Sequence, residues 1–236
     1  MTQHIGILAC SAEGAALCYR TICTEGPSLL GDHNHPEVSI HTFPLLEYLK
    51  PLRRGDWAGV AELMLASSEK LVRSGADFFI CPDNTIHEAL PLIRSRLARP
   101  WLHIAEVVAD SAFQAGFQRL GLTGTRWLVN GALYPDALGA RGLRCIRPSE
   151  EDCQEIDRII IDELVNGVIR SEATDYFLHV VAKLKDQGCE AVILGCTELP
   201  LIANNSNSAL PVLDSTRLLA RAALRVAIGT PISVGK

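Results

Sequence analysis

The sequence predicts an α/β fold in which mainly parallel sheets are covered by helices on both faces. Short apolar runs alternate with segments of helical periodicity from one end of the chain to the other. Strands that are apolar throughout are typical of parallel sheets buried on both sides. A weak internal repeat adds the expectation of two similar domains. In such sheets ligands bind at the carboxyl ends of the strands, so functional side chains are expected there.

Eight strands are predicted in order along the chain. Ile5–Ala9 is a short apolar run, Val38–Phe43 alternates with the period of a strand, and Ala76–Cys81 is apolar apart from Asp77. Five later runs have the same character: Trp101–Ala105, Leu120–Thr123, Arg144–Arg147, Ala191–Cys196 and Pro211–Asp214.

Seven helices fit between these strands. The clearest has apolar residues at helical spacing over 57–72. Ser149 and Ser171 are predicted N-caps, and Gly188 and Gly229 are predicted C-terminal stops. The predicted helices cover residues 12–24, 57–74, 86–97, 106–117, 149–165, 172–187 and 215–228.

The composition is that of a soluble, fully folded chain. The 236 residues carry a net charge of −5, and 48% of them are hydrophobic, which excludes disorder. The acidic balance and the lack of a Lys/Arg run argue against nucleic acid as a partner. No apolar stretch reaches the roughly 18–20 residues of a membrane helix, and the N-terminus lacks the basic region of a signal peptide. We therefore expect no membrane association.

Eight cysteines are spread over predicted strands and helices, without the spacing of a zinc site. Disulfide frameworks belong mainly to short secreted chains, so we expect reduced thiols in a cytoplasmic protein. Most of these cysteines are interpreted as small buried hydrophobic residues. No phosphate loop, dinucleotide fingerprint or metal motif is present, so no cofactor is expected.

The internal repeat has a constant offset of 113 residues. The segment from Gly75 to Thr85 matches the segment from Gly188 to Glu198, and each copy reads helix, glycine, acidic residue, apolar strand and polar cluster. Any two helix–glycine–strand units look somewhat alike, so chance similarity is the alternative. Two related domains facing each other across a cleft would place both polar clusters at one site, with Asp83 opposite Cys196.

The two polar clusters contain the residues that are able to do chemistry. They are Cys81-Pro-Asp83-Asn84-Thr85-Ile-His87 and Gly195-Cys196-Thr197-Glu198-Leu-Pro200. Backbone amides at a helix start, together with Asn and Thr side chains, form a cradle for a carboxylate. A helix N-terminus also lowers the pKa of a cysteine, which makes the thiolate a base or a nucleophile.

Asn84-Thr85-Ile86-His87 and Gly195-Cys196-Thr197-Glu198-Leu199-Pro200 resemble the two signature motifs of the aspartate/glutamate racemase superfamily. The resemblance continues, in chain order, over nearly the whole sequence. It implies two α/β domains related by a pseudo-two-fold, namely residues 1–100 with 208–236 and residues 101–207, with the active site in the cleft between them. It also implies amino-acid racemisation without a cofactor, and a homodimer, since members are often dimers.

The family mechanism uses two facing bases, normally both cysteines, because inversion needs an acid and a base on opposite faces. Here Asp83 stands where the first cysteine is usual, and Cys196 is retained. The resemblance therefore implies an Asp83–Cys196 pair, with the hypothesis that the pKa of Asp83 is raised and that of Cys196 lowered. Cys81 competes for the first position, and a helix cap is the alternative role of Asp83.

Further residues are candidates for substrate binding, although several have a plausible structural role. The candidates are Ser11, Asn84, Thr85, Thr123, Thr125, Thr197 and Glu198. For Ser11 a capping role at the following helix is an equal alternative. His87 is interpreted as a structural hydrogen-bonding residue. Arg53, Arg54 and Arg170 have the chemistry to bind a distal carboxylate. Members of the resembled family carry a polar glutamine where this chain has Leu52, so the resemblance implies room for a less polar substrate side chain than that of aspartate or glutamate.

Two other functions compete with racemisation of an acidic or related amino acid. A single-cysteine site resembles the arylmalonate decarboxylases, although the Asp83 charge would repel the leaving carboxylate of a malonate. A non-catalytic binding protein on the same scaffold is the third possibility.

Overall fold

The computed structural model describes residues 2–229, which form two compact units. The first unit contains the chain up to Ile104 and from Thr216, and the second contains Ala105–Ser215. Each unit has one four-stranded parallel sheet. The predicted fold class, two similar α/β domains with parallel sheets, is therefore confirmed. Met1 and residues 230–236, part of the predicted first domain, lie outside the described residues.

The first sheet has the strand order β2-β1-β3-β4. Its strands are β1 (Ile5–Ala9), β2 (Val38–Thr42), β3 (Phe78–Ile80) and β4 (Trp101–Leu102). The helices of this part are α1 (Ala12–Glu25), α2 (Pro27–Leu30), α3 (Leu45–Arg53), α4 (Trp57–Arg73) and α5 (Leu90–Ile93), with 3₁₀ segments at Thr85–Ala89 and Arg94–Arg96. Every residue of β1 and β3 is buried, which explains why these strands read as continuous apolar runs.

The second sheet repeats this order as β6-β5-β7-β8. Its strands are β5 (Arg119–Thr123), β6 (Arg144–Ile146), β7 (Ala191–Leu194) and β8 (Val212–Asp214). The α-helices of this part are α6 (Ile104–Gln114), α7 (Arg126–Asn130), α8 (Leu133–Gly139), α9 (Glu150–Arg158) and α10 (Ser171–Asp186). Helix α11 (Ser215–Ala227) belongs to the first unit from Thr216 onward. A π-helix covers Ile159–Glu163, and 3₁₀ segments cover Leu164–Asn166 and Leu199–Leu201.

Each unit has its own apolar core. In the first, α4 packs Met64 and Leu71 into a buried cluster that includes Leu8 and Phe79. In the second, α10 contributes Phe177, Val180 and Leu184 to a cluster with Val192. The periodic apolar faces of α4 and α10 thus each pack into the core of their own unit.

The internal repeat of the sequence corresponds to a repeat in the structure. Strands β3 and β7 occupy the third place in the order of their sheets, 113 residues apart. The preceding glycines, Gly75 and Gly188, both have positive φ values, of 92° and 84°, and the two helices end there. A residue without a Cβ adopts this conformation most readily.

The acidic residues of the repeat also have the same function. Asp77 accepts the backbone N–H of His4 at 2.8 Å, and Glu190 accepts that of Arg119 at 3.0 Å. The backbone N–H of each acidic residue in turn donates to the carbonyl of the same partner, at 2.9 Å in both units. The turn before the third strand is thus tied to the start of the first strand in both sheets.

Two predicted helices are broken in the structure. The helix expected over 86–97 is a short α5 between two 3₁₀ segments, because Pro91 at its start has no N–H to continue a helix. The helix expected over 149–165 ends as α9 at Arg158 and continues as π and 3₁₀ turns. Ser149 is an N-cap as predicted, but the cap of α10 is Arg170, so the prediction for Ser171 is wrong by one residue.

The domain boundaries of the structure differ from those expected. Strand β4 pairs with β3, so residues 101–104 stay with the first unit rather than opening the second. Strand β8 pairs with β7, so the chain returns to the first unit at Thr216 and not at residue 208. Helices α2, α3, α7 and α8 were not expected from the sequence. No helix within residues 2–229 has both the length and the apolar character needed to cross a membrane.

Alanine at either repeat glycine is expected to destabilise the protein by about 1–2 kcal/mol, the cost of a left-handed conformation for an L-residue. We expect similar losses for Gly75→Ala and Gly188→Ala, measured as the free energy of unfolding in urea. Gly139→Ala is the control, because an added Cβ there meets no atom within 4 Å and φ is not positive. Losses no larger than the control's would contradict the assigned turn.

Candidate functional site

The first polar cluster follows β3, where the chain leaves the sheet through Cys81, Pro82 and Asp83. Asp83 is half-buried, and its Oδ1 accepts the backbone N–H of Ile86 at 3.1 Å. Its carboxyl group therefore sits at the start of the 3₁₀ turn Thr85–Ala89. Asp83 thus makes a capping-type hydrogen bond from one residue before the N-cap, which is Asn84. The loop places its carboxylate after a central strand.

His87 holds the backbone of this loop in place. Its Nδ1–H donates to the Asp83 carbonyl at 2.7 Å, while its Nε2 accepts the indole N–H of Trp101 at 3.1 Å. Trp101 lies on β4, so this chain of hydrogen bonds connects the edge of the sheet to the loop. Burial, then the nearby His103, lowers the pKa of His87 well below its usual value. A neutral imidazole is the form that fits one donor and one acceptor.

Cys81 lies beneath the loop and is fully buried. Its thiol donates to the Asp83 carbonyl at a sulfur–oxygen distance of 3.7 Å. Burial, reinforced by the Asp83 charge, raises the pKa of this thiol well above its usual value. Since the thiolate is the basic form of cysteine, these surroundings favour Asp83 over Cys81 as the reactive group of the first cluster.

Tyr48 is a member of this neighbourhood that the sequence did not suggest. It is fully buried on α3, and its hydroxyl has no hydrogen-bond partner within residues 2–229. Burial, with smaller effects of Cys10, Cys81 and Asp83, raises its pKa far above the usual value. An unpaired buried hydroxyl costs about 1–3 kcal/mol. No sequence pattern indicated this residue, because the helix that carries it was itself not expected.

The second polar cluster follows β7 and is built around a buried carboxylate. Glu198 is only 3% exposed, and its Oε2 accepts two hydrogen bonds. One comes from the Cys196 thiol at 3.0 Å and the other from the Thr197 hydroxyl at 2.7 Å. Cys196 itself is half-buried. This arrangement gives the thiol a proton acceptor within hydrogen-bond distance, which is the geometry that general acid–base chemistry needs.

Gly195 allows the chain to bring Cys196 close to the neighbouring strand. Its N–H donates to the Thr123 carbonyl at 2.8 Å, and a Cβ at this position would lie 2.7 Å from that same oxygen. The Thr123 hydroxyl is fully buried and donates to the Ile193 carbonyl at 2.8 Å. Thr123 was predicted to bind substrate, but its hydroxyl makes a hydrogen bond that joins β5 to β7.

The other predicted site residues divide between the two units. Ser11 caps α1 by accepting the Gly14 N–H at 3.2 Å, the alternative considered from the sequence. Asn84 and Thr85 are buried in the turn after Asp83, and Thr125 is buried just before α7. The first unit therefore brings together Ser11, Asp83, Asn84 and Thr85, which follow the neighbouring strands β1 and β3. The second brings together Thr123, Thr125, Cys196, Thr197 and Glu198, at the ends of β5 and β7.

The three arginines considered for a distal carboxylate have different surroundings. Arg53 and Arg54 are exposed, and Arg54 lies 3.8 Å from Asp56. Arg170 lies 3.8 Å from the buried Glu163, which also pairs with Arg158 at 2.8 Å. Within the described chain, no three His, Cys, Asp or Glu side chains are arranged to hold a metal ion.

The sequence matches known proteins over most of its length. Residues 7–223 match the model of the Asp/Glu/Hydantoin racemase family. The chain is 24% identical to the broad specificity amino-acid racemase RacX of Bacillus subtilis, over 80% of this chain and 81% of that protein. It is also 23% identical to a glutamate racemase from Hydrogenobaculum, over 63% of this chain and 56% of the other.

Solved structures are similar over almost the whole chain. A Yersinia pestis protein provisionally assigned as an Asp/Glu racemase has a TM-score of 0.87 and 30% identity, over 96% of this chain and 99% of that one. An aspartate racemase homologue from Pyrococcus horikoshii has a TM-score of 0.82 and 25% identity, over 97% and 100%. Glutamate racemase RacE1 from Bacillus anthracis shares the fold at 17% identity and a TM-score of 0.69, over 98% of this chain and 84% of that one.

The lowered pKa of His87 predicts a pH dependence of stability. A histidine whose pKa is depressed in the folded state stabilises the fold above its unfolded value near ~6.5, and this stability is lost as the pH falls. We expect the free energy of unfolding to drop between about pH 7 and pH 5, and His87→Gln to reduce this slope.

Burial also lowers the pKa of His41. His41 therefore still contributes to the pH dependence of the free energy of unfolding in His87→Gln. His179→Gln, at an exposed position of α10, controls for the loss of a histidine as such. An unchanged slope in His87→Gln would contradict a neutral buried imidazole.

Proposed function

The chain belongs to the Asp/Glu/Hydantoin racemase family, and we propose that it racemises an amino acid without a cofactor. The single observation that supports this most is the Cys196 thiol at the carboxyl end of β7, 3.0 Å from the buried Glu198 carboxylate. A thiol with a proton acceptor beside it suits proton transfer at a weakly acidic carbon. Its position at a strand end is where α/β sheets place their ligands.

In the proposed mechanism Asp83 and Cys196 act on the same substrate from opposite faces. The Asp83 carboxylate removes the α-proton of one enantiomer and becomes a carboxylic acid. The Cys196 thiol then donates its proton to the other face of the planar carbanion and becomes a thiolate. The reverse direction starts from that thiolate and the protonated Asp83, so the two groups exchange roles with each inversion. Opposite faces are required because reprotonation from the same face would return the original enantiomer.

The remaining cluster residues would bind the substrate carboxylate. Asn84, Thr85 and Thr197 carry donors next to the two proposed bases, in the turns that follow β3 and β7. Donors aimed at the carboxylate stabilise the negative charge that moves onto it when the α-proton leaves. The hydrogen bond to Glu198 fixes the direction in which the Cys196 S–H bond points. These roles need no bound cofactor, which agrees with the absence of a cofactor motif in the sequence.

The substrate we propose is an acidic or related amino acid. The named relatives include glutamate racemases and a racemase of broad specificity, so the family name alone leaves a range of side chains. Leu52 is buried on α3 within the apolar core of the first unit, so its side chain does not decide between these substrates. The homodimer and the cytoplasmic location are further proposals, based on the resemblance and on the free cysteines. The decarboxylase and the binding protein have no support among the relatives described above.

The first experiment is proton NMR of amino acids and malonates incubated with the protein in D₂O. Loss of an α-proton signal, followed by the appearance of both enantiomers on chiral chromatography, would establish the racemase and identify its substrate. Exchange without inversion would leave a single working base. Release of CO₂ from a malonate would instead establish a decarboxylase, and no exchange with any ligand would refute the proposal.

Removing either proposed base is expected to abolish racemisation. For Cys196→Ala and Asp83→Asn we expect at least a ~100-fold loss of kcat, the lower end of what a positioned acid or base contributes. Each variant should still exchange the α-proton of the enantiomer that faces the remaining base. Cys189→Ala is the matched control, because this thiol is buried and its pKa is raised by burial. If Asp83→Asn racemised the substrate at the wild-type rate, Asp83 would not be a base in this reaction.

Neutralising Glu198 is expected to lower activity through Cys196. In Glu198→Gln the thiol and the Thr197 hydroxyl lose a charged acceptor, and we expect a ~10-fold or larger fall in kcat with a small change in KM. Glu172→Gln, at an exposed position of α10, controls for the lost charge. Equal rates for Glu198→Gln and wild type, with both proteins folded by circular dichroism, would show that the thiol acts without its neighbour.

A further inference from the structure

His87 is a buried residue whose two ring nitrogens both have a partner. It is 1% exposed and lies in the 3₁₀ turn that follows Asp83. Its Nδ1 lies 2.7 Å from the Asp83 carbonyl, which is able only to accept, and its Nε2 lies 3.1 Å from the Trp101 indole nitrogen, which is able only to donate. These two partners select one form of the ring, the neutral imidazole with its proton on Nδ1. A fully bonded buried network fixes one arrangement of its members, which an apolar side chain of similar size would not do.

The edge of the first sheet holds this imidazole in its orientation. Trp101 of β4 and His103 are two residues apart in an extended chain, so their side chains point to the same side. Both rings meet His87 edge-on, with centroid distances of 5.7 Å for Trp101 and 4.8 Å for His103. Trp101 is itself paired with Phe79 of β3 along the backbone, and the centroids of these two rings are 6.0 Å apart. The direction of the His87 Nδ1–H bond is therefore set by the sheet.

The bond from His87 completes a two-point attachment of Asp83. The His87 Nδ1–H holds the carbonyl of Asp83, and the Ile86 N–H holds Oδ1 of its carboxyl group at 3.1 Å. The Cys81 thiol donates to the same carbonyl at the longer sulfur–oxygen distance of 3.7 Å, and a thiol is a weak donor. With the backbone held on one side and the carboxyl group on the other, rotation about the bonds between them is restricted. Without the imidazole, the main attachment of the Asp83 backbone in this loop is lost.

We propose that His87 is a positioning residue for Asp83, which it holds through the backbone carbonyl so that the carboxyl group keeps one orientation during proton transfer. This inference rests on the proposed function, because it treats Asp83 as one of the two bases. A base that is misplaced by about 1 Å is able to lose ~100-fold in rate, so the anchoring of the loop bears directly on activity. Since His87 acts through Asp83, its loss affects proton transfer at Asp83 and leaves that at Cys196 unchanged.

The test compares two substitutions that each keep one of the two bonds. The amide nitrogen of asparagine takes about the place of Nδ1, so His87→Asn keeps a donor for the Asp83 carbonyl. The amide oxygen of glutamine takes about the place of Nε2, so His87→Gln keeps an acceptor for Trp101 and loses the donor for Asp83. The rate of α-proton exchange in D₂O is measured separately for each enantiomer of the amino acid identified by NMR.

The expected difference concerns the enantiomer whose exchange is lost in Asp83→Asn. For this enantiomer we expect about tenfold slower exchange in His87→Gln and a rate within about threefold of wild type in His87→Asn. Exchange of the other enantiomer should stay within about twofold of wild type in both variants. His87→Leu, which has neither donor nor acceptor, should show the same difference between enantiomers as His87→Gln, and it replaces that variant if His87→Gln does not fold.

Two controls separate positioning from stability. Trp101→Phe removes the indole N–H but keeps His87 and its bond to Asp83, so exchange should stay within about threefold of wild type although the thermal midpoint falls. Thr21→Val removes a buried hydrogen bond of the same unit, from the Thr21 hydroxyl to the Leu17 carbonyl at 2.7 Å within α1. It should lower the thermal midpoint without creating a difference between enantiomers.

The other outcomes overturn the proposal. Wild-type exchange of both enantiomers in His87→Gln, with racemisation intact, would refute this inference alone and leave the proposed function standing. Equal losses for both enantiomers, or losses that follow the thermal midpoints of the variants and controls, would reduce His87 to a residue that stabilises the fold. A wild-type protein that exchanges no amino acid would refute the proposed function and this inference together.

Discussion

The bond between the turn before the third strand and the start of the first strand is the constraint on which both candidate clusters depend. In one sheet Asp77 accepts the N–H of His4, and in the other Glu190 accepts that of Arg119. Each bond sets the register of the third strand against its neighbour. Asp83 and Cys196 both lie six residues beyond the acidic residue of their own repeat, so the register of each strand decides where its polar loop begins. The repeat therefore places one of the two proposed bases at an equivalent position in each unit.

The two equivalent positions carry different chemical groups in different surroundings. In the first unit, neutral groups surround a carboxylate: a buried thiol, a neutral imidazole and a buried phenol, each with a pKa shifted by burial. In the second unit, a half-buried thiol is bonded to a buried carboxylate. Because its surroundings are neutral, the Asp83 charge is the dominant one in its loop. In the second unit, the Glu198 charge fixes the direction in which the Cys196 S–H bond points. A duplicated scaffold with different residues at one position suits a reaction whose two half-steps need an acid and a base.

The sequence predicted the strands and the polar clusters well, because both depend on local patterns. All eight strands are at the expected places, since buried parallel strands are continuous apolar runs. The pairing of Cys196 with Glu198 was not predicted, since hydrogen-bond geometry within a turn is not visible in residue order. Tyr48 was missed for another reason: α3 contains Pro51 and lies next to a glycine, which hid its helical pattern. The roles of Thr123 and Ser11 also needed coordinates, because a hydroxyl suits a strand bond or a cap as well as a ligand.

The surroundings of the cysteines bear on which of the eight thiols is proposed as a base. Burial raises the pKa of Cys81, Cys153 and Cys189, and it raises that of Cys145 to about 11. Such thiols remain protonated and pack as small apolar side chains. Cys196 is half-buried, as Cys145 is, but its thiol donates to the Glu198 carboxylate in the adjacent turn. The proposal of Cys196 as a base therefore rests on its hydrogen bond to Glu198 and on its place after β7, and not on exposure, which Cys23 and Cys145 share.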